Sequence, residues 1–207
     1  MSWVASPSFS VAARSLAAIG RTFYARGWVM GTSGNFSIVR SRSPWRQVIS
    51  ASSVPKGQLT AKDFLEVDAH GRPLRESARP SAETLLHVDI ARHRGALAVL
   101  HTHSVAATVL STRHAAAGGL AIEGLEMLKG LAGVTTHQHR EWVPIIENDQ
   151  DMRRLSRALT TALDQYPAAH GVLLAGHGLY TWGDSLADAE RHVEILEFLL
   201  DVTLRLE

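Results

Sequence analysis

Three strand-like segments follow one another between residues 35 and 67 with no helix between them. NFSIV begins at Asn35, a second segment covers residues 47–51, and the third is Phe64–Val67. The runs between them are turn-rich: SSVPKGQ carries Pro55 and Gly57, and DAHG follows Val67. A doubly wound parallel sheet needs strands that alternate with helices. These strands do not alternate, so the expected fold is α/β with a mainly antiparallel or mixed sheet flanked by helices.

Helical spacing appears elsewhere. Ala12, Leu16, Ile19 and Phe23 share one face, with Ser8 or Ser10 as cap and Gly27 as stop. Ser81 is the expected N-cap of a helix over residues 81–93, which places Glu83 in its first turn, where the helix dipole favours a carboxylate. Residues 122–131, 152–163 and 186–204 are read as further helices, and residues 96–100, 142–146, 172–175 and 179–182 as strands. About eight strands and five helices result, with no repeat and no linker. One domain over residues 1–207 is expected, long enough to bury roughly 70% of the surface its unfolded chain exposes.

The chain has eleven His and no Cys. A disulfide framework, a thiolate nucleophile, a Cys-bound zinc and an iron–sulfur cluster are excluded, and any metal must be held by His and carboxylate. Lys plus Arg number 21 and Asp plus Glu 20, a balance that argues against a nucleic-acid footprint. The opening MSWVASPSF has no basic stretch leading into an apolar one, and no run approaches the ~18 apolar residues of a membrane span. A cytoplasmic protein without a membrane partner is expected.

His101 and His103 end the apolar run AVLHTHS. Two residues apart on a strand, they point to one face, which is a metal-ligand spacing. Alone, the pair also reads as two polar residues at a strand exit. His137 and His139 repeat the spacing in the polar run THQHREW, where no buried strand fixes them, and are expected to be solvated. His177 lies between two glycines that allow close backbone approach, and supplies a third ligand. Three protein ligands with an open position fit a catalytic metal site. His87 lies one helical turn after Glu83 and is either an ordinary helix partner or a support for the site. No function is assigned to His70, His93, His114, His170 and His192. Glu126, four residues after Ile122, is expected to border the apolar side of its helix. The alternative is a solvated pair with Lys129.

Four segments in order, GTSGNFSIV, ISASSVPKGQL, PSAETLLHVDI with AVLHTHS, and LLAGHGLYTWG, resemble the class II aldolase and adducin-head superfamily over nearly the whole chain. EGLEMLKG, VPIIEN and YTWG bring it nearest the sugar-phosphate dehydratases of that superfamily. The resemblance implies a lyase with one Zn2+ per subunit on His101, His103 and His177. It implies Glu83 as the acid/base beside the metal and Glu126 as a second acid/base. Asn35, Ser52, Ser53 and Ser81 would hold a substrate phosphate. Aldolases carry a second Ser after the position of Ser81, whereas this chain has Ala82, and Lys56 could compensate as a point charge. A small sugar-phosphate substrate and a homotetramer with sites at subunit interfaces are also implied. Aldol cleavage and pentulose-phosphate epimerisation stay open as alternatives. A non-catalytic adducin-like domain is disfavoured, since such domains lack the metal histidines.

Overall fold

The computed structural model describes residues 7–75 and 79–207, so the opening MSWVAS lies outside the described residues. Eight strands form one sheet: β1 (Asn35–Arg42), β2 (Trp45–Ser50), β3 (Phe64–Val67), β4 (Ala98–Thr102), β5 (Gly119–Ile122), β6 (Glu141–Ile146), β7 (Gly171–Leu174) and β8 (Gly178–Gly183). Their order is β3-β2-β1-β4-β8-β7-β6-β5. Every neighbouring pair is antiparallel except β6 and β7. The mixed, mainly antiparallel sheet expected from the helix-free start is what forms.

Five helices cover the two faces: α1 (Phe9–Ala25), α2 (Thr84–His93), α3 (Val105–Arg113), α4 (Met152–Gln165) and α5 (Leu186–Leu206). Alternation along the strands divides the core. Val39, Ile49, Val99, Val172 and Tyr180 pack under α2 and α4. Phe36, Ile38, Val48 and Leu100 pack against α1 and the start of α5. Ser8 caps α1 by accepting from the Val11 amide. Antiparallel register places Asn35 opposite His101 and His101 opposite Tyr180, so three polar side chains share the α2 face at one end of the sheet.

The structure corrects three local readings. Residues 122–131 are not an α-helix. Ile122 ends β5 opposite Glu141, Gly124 takes a positive φ, and a 3-10 turn covers Glu126–Gly130. The apolar residues there, Leu125, Leu128 and Leu131, recur every third position, the period of that tighter helix. α3 went unseen because its buried face is mostly small, with Ala106, Ala107, Leu110 and Ser111. Its one clear signal was Ser104, whose hydroxyl caps the Ala107 amide. The total of five helices therefore holds with one member exchanged. Ser81 is not the N-cap of α2. Its carbonyl and hydroxyl accept from Thr84 and Glu83 in a preceding turn, and Glu83 occupies the cap without a side-chain cap bond.

Candidate active site

β4 delivers His101 in its ladder and His103 just past its end, where the His103 amide bonds the Trp28 carbonyl at 2.7 Å. His177 comes from the β7–β8 turn. Gly178 makes that turn fit: a Cβ there would lie 2.0 Å from the Thr102 carbonyl oxygen. Gly34, at φ +75°, likewise brings the 31–34 turn against the His101 carbonyl, 2.7 Å from where its Cβ would be. The three imidazole centroids lie 4.5 to 5.1 Å apart. Glu83 completes the group from the turn before α2, with Oε1 3.1 Å from His177 Nε2 and Oε2 3.6 Å from His101 Nε2.

One ligand atom from each of Glu83, His101, His103 and His177 lies within 4.8 Å of the others, the only such group among the described residues. His101 Nδ1 donates to the Leu179 carbonyl at 2.9 Å, which fixes the tautomer and leaves the Nε2 lone pair facing the cluster. The Nε2 atoms of His101 and His103 are buried without a hydrogen-bond partner among the described residues. Burial pushes His101 down to about 4 and His103 down to about 3, so both are neutral at pH 7. Burial alone would raise Glu83, but His101, His177 and Asn35 outweigh it and hold the carboxyl below its usual range. Neutral imidazoles with orphaned, converging nitrogens beside a carboxylate fit a divalent metal.

The cluster opens into a cleft of about 270 Å3. Asn35, Ser52, Ser53, Lys56, Ser81 and Ala82 all line it, so every residue expected to hold a phosphate meets there. Ser53 has φ +61°, a strained conformation for a residue with a side chain, as found where function over-determines the backbone. Lys56 is buried, and its ammonium donates to the carbonyls of Thr32 at 2.9 Å and Val54 at 3.0 Å, tying the two loops of the cleft. Burial lowers its pKa to about 8. The Asn35 amide donates to Ser81 Oγ at 3.1 Å and to Glu83 Oε2 at 2.5 Å. A larger cavity, about 650 Å3, lies at the opposite end of the sheet, but among the described residues no set of metal-ligand atoms converges in it.

The model of the class II aldolase and adducin N-terminal domain family matches residues 14–204. This chain belongs to that family. Two relatives named methylthioribulose-1-phosphate dehydratase align over almost its full length. The Sorangium cellulosum protein is 45% identical over 95% of this chain and 93% of its own. The Methylococcus capsulatus protein is 46% identical over 96% and 95%. Among solved structures, the l-fuculose-1-phosphate aldolase of Thermus thermophilus superposes with a TM-score of 0.72 at 25% identity, covering 95% of this chain and 93% of that one. Class II aldolase members are metal-dependent, and the His/Glu cluster is the place in this member that can hold a metal.

Glu126 does not join this class II aldolase cluster. Its side chain is 71% exposed and pairs with Lys129 at 2.7 Å, so it is a solvated carboxylate and not a half-buried one. The cause is the 3-10 turn that replaces the expected helix. The reading of His137 and His139 as solvated holds for His137 and fails for His139, which bonds the buried Glu141 at 2.8 Å. His170 bonds the same carboxylate at 3.0 Å and donates from Nε2 to the Ala132 carbonyl. His192 accepts from the Ala132 amide at 3.2 Å and donates from Nδ1 to the Trp182 carbonyl. These three histidines pin the loop after the 3-10 turn. Spacing could not show it, because their partners come from three distant segments.

Proposed function

We propose that this protein dehydrates 5-methylthioribulose 1-phosphate to 2,3-diketo-5-methylthiopentyl 1-phosphate, a step of methionine salvage, using one Zn2+ on His101, His103 and His177. The observation that carries the reading is the cluster of three converging imidazoles and Glu83, with His101 fully buried, open to a cleft lined by serines and Lys56. The names of relatives at about 45% identity select the substrate. A divalent metal bound there supplies Lewis-acid stabilisation of negative charge on the sugar oxygens.

The residues of the chain do the rest. The reaction removes the C3 proton and the C4 hydroxyl. Glu83 is ionised and faces the cluster, so it is placed to accept a proton. The hydroxyls of Ser52, Ser53 and Ser81 and the fixed charge of Lys56 orient the phosphate, and Ala82 leaves one hydroxyl fewer on that side. Glu126, outside its own chain's cleft, serves the cleft of a second copy as the acid for the leaving hydroxyl. An exposed apolar rim supports this assembly: Val105, 73% exposed, lines one groove with Met127 and Phe198 beside the 3-10 turn that carries Glu126. The homotetramer of single-domain subunits comes from the family resemblance, and this groove is a surface on which two copies can meet. We also propose a cytoplasmic location; among the described residues no helix is long and apolar enough to cross a membrane.

The test is turnover of methylthioribulose 1-phosphate by wild type, Glu83→Gln and Glu126→Gln, with metal content measured on each. Diketone formation is expected from wild type and strongly reduced in both variants. Full activity in Glu126→Gln would remove that residue from the mechanism. Cleavage of fuculose 1-phosphate without diketone formation would instead favour the aldolase reading, which the structural likeness to that aldolase supports.

A further inference from the structure

A chain of buried polar side chains runs from β2 to Glu83, and nothing in the proposed mechanism uses it. Trp45 Nε1 donates to Gln47 Oε1 at 3.2 Å, and Gln47 Nε2 donates to Ser37 Oγ at 2.8 Å. Ser37 Oγ meets His87 Nδ1 at 2.8 Å, His87 Nε2 meets Asn35 Oδ1, and Asn35 Nδ2 donates to Glu83 Oε2. Trp45, Gln47, Ser37, His87 and Asn35 are all buried, among side chains that are otherwise apolar. Such a network is costly unless every member is satisfied.

Donor counting fixes the direction of the chain. Both Asn35 amide hydrogens are used, on Ser81 and Glu83, so its Oδ1 must accept. The ring atom that meets it, His87 Nε2, must therefore carry a hydrogen. His87 is neutral, since burial pushes it down to about 4, so Nδ1 is bare and accepts from the Ser37 hydroxyl at 2.8 Å, in preference to that hydroxyl's other acceptor, the Val99 carbonyl, at 3.4 Å. The other tautomer breaks the chain. With the hydrogen on Nδ1, Asn35 would have to flip to donate to Nε2, and its carbonyl oxygen would then face the Glu83 carboxylate oxygen at 2.5 Å, two acceptors with no hydrogen between them.

We infer that His87 is a positioning residue. Its Nε2–H locks the Asn35 side chain with the amide toward Glu83, and so sets where the Glu83 carboxylate stands over the cleft. Asn35 then acts on the substrate through Glu83. The inference rests on the reading of Glu83 as a working group of the proposed dehydratase, and its test separates the two. Nitrogen NMR of the metal-loaded, 15N-histidine-labelled enzyme, with His87 assigned by its absence from the His87→Gln spectrum, reads the tautomer without substrate. A neutral ring protonated on Nε2 is expected from pH 6 to 8, and a ring protonated on Nδ1, or on both nitrogens, overturns the inference. Kinetics with methylthioribulose 1-phosphate supply the second readout. His87→Leu removes both polar atoms, and His87→Gln restores a donor toward Asn35 and an acceptor toward Ser37. His87→Leu should lower kcat about 10–100-fold with KM within about twofold, the range seen when a group that orients a site residue is lost, and His87→Gln should recover most of it. Equal kcat loss in both variants, or none in His87→Leu, overturns the inference. If His87→Leu does not fold, the tautomer still decides it. If wild type does not turn over this substrate, the functional reading fails while the tautomer measurement stands.

Discussion

His101 and His103 share their spacing with His137 and His139, yet the two pairs end in opposite situations. The first pair converges on His177 and Glu83. The second diverges: His137 reaches the exposed Glu126 at 3.7 Å, and His139 reaches the buried Glu141. The backbone explains the difference. His101 sits in a ladder between β1 and β8, and the His103 amide is tied to Trp28, so the alternation of a strand carries both rings to one side. Residues 136–139 form a turn closed by the His139 amide on the Thr136 carbonyl, and a turn gives positions i and i+2 no common face. Spacing thus predicts ligation only where the backbone that carries it is rigid.

The largest expected effect breaks the first pair. His101→Ala or His103→Ala should lose the metal and about three orders of magnitude in dehydration rate, roughly 4 kcal/mol of barrier at 1.36 kcal/mol per tenfold. His139→Ala, the matching change in the second pair, should keep both metal content and rate within about threefold. Metal analysis and steady-state rates on the same preparations check this, and equal losses in the two pairs would refute the contrast. Gly178→Ala comes next. The added methyl meets the Thr102 carbonyl, so the turn that presents His177 must shift. Metal affinity should fall by about 10–100-fold, a loss readable by competition titration with a chelator.

The second pair has its own signature. His170→Ala leaves the buried Glu141 with His139 as its remaining histidine partner and should cost ~3 kcal/mol in urea unfolding, with metal content unchanged. Full stability would mean that Glu141 needs no cation. This cluster marks the limit of what one sequence reveals. The candidate ligands His101, His103 and His177 were legible because AVLHTHS and GHG announce their own local geometry, whereas the cleft serines came only from the family resemblance, because a short Gly/Ser turn is by itself just a turn. Glu141, His170 and His192 meet from β6, the start of β7 and α5, and local pattern does not encode such a long-range meeting. The expected half-buried place of Glu126 on a helix failed for the same reason in reverse. A helical reading of residues 122–131 assigned it a face, and Gly124 removed the helix.

The middle residue of each pair carries the contrast further. Gln138 is exposed, and its amide reaches only as far as the Thr136 hydroxyl. Thr102 is buried and donates to Glu197 of α5, whose other carboxylate oxygen is buried with no partner among the described residues. Burial outweighs the hydrogen bonds of Glu197 and raises it from 4.5 to about 7. A raised carboxyl binds its proton more tightly in the folded state than in the unfolded one. The folded form therefore holds the extra proton between pH ~4.5 and ~7, and stability falls as pH rises through that window, with the full cost present above it. Glu197→Gln keeps the acceptor for Thr102 and removes the titration. The gap in unfolding free energy between wild type and Glu197→Gln should therefore shift by about 2 kcal/mol toward the variant from pH 5 to pH 8. Taking the difference cancels Glu141, His101 and His103, which titrate alike in both proteins. Parallel pH profiles would mean that Glu197 is already ionised in the folded enzyme, and that the strand exit between His101 and His103 rests on a charge instead of a shared proton.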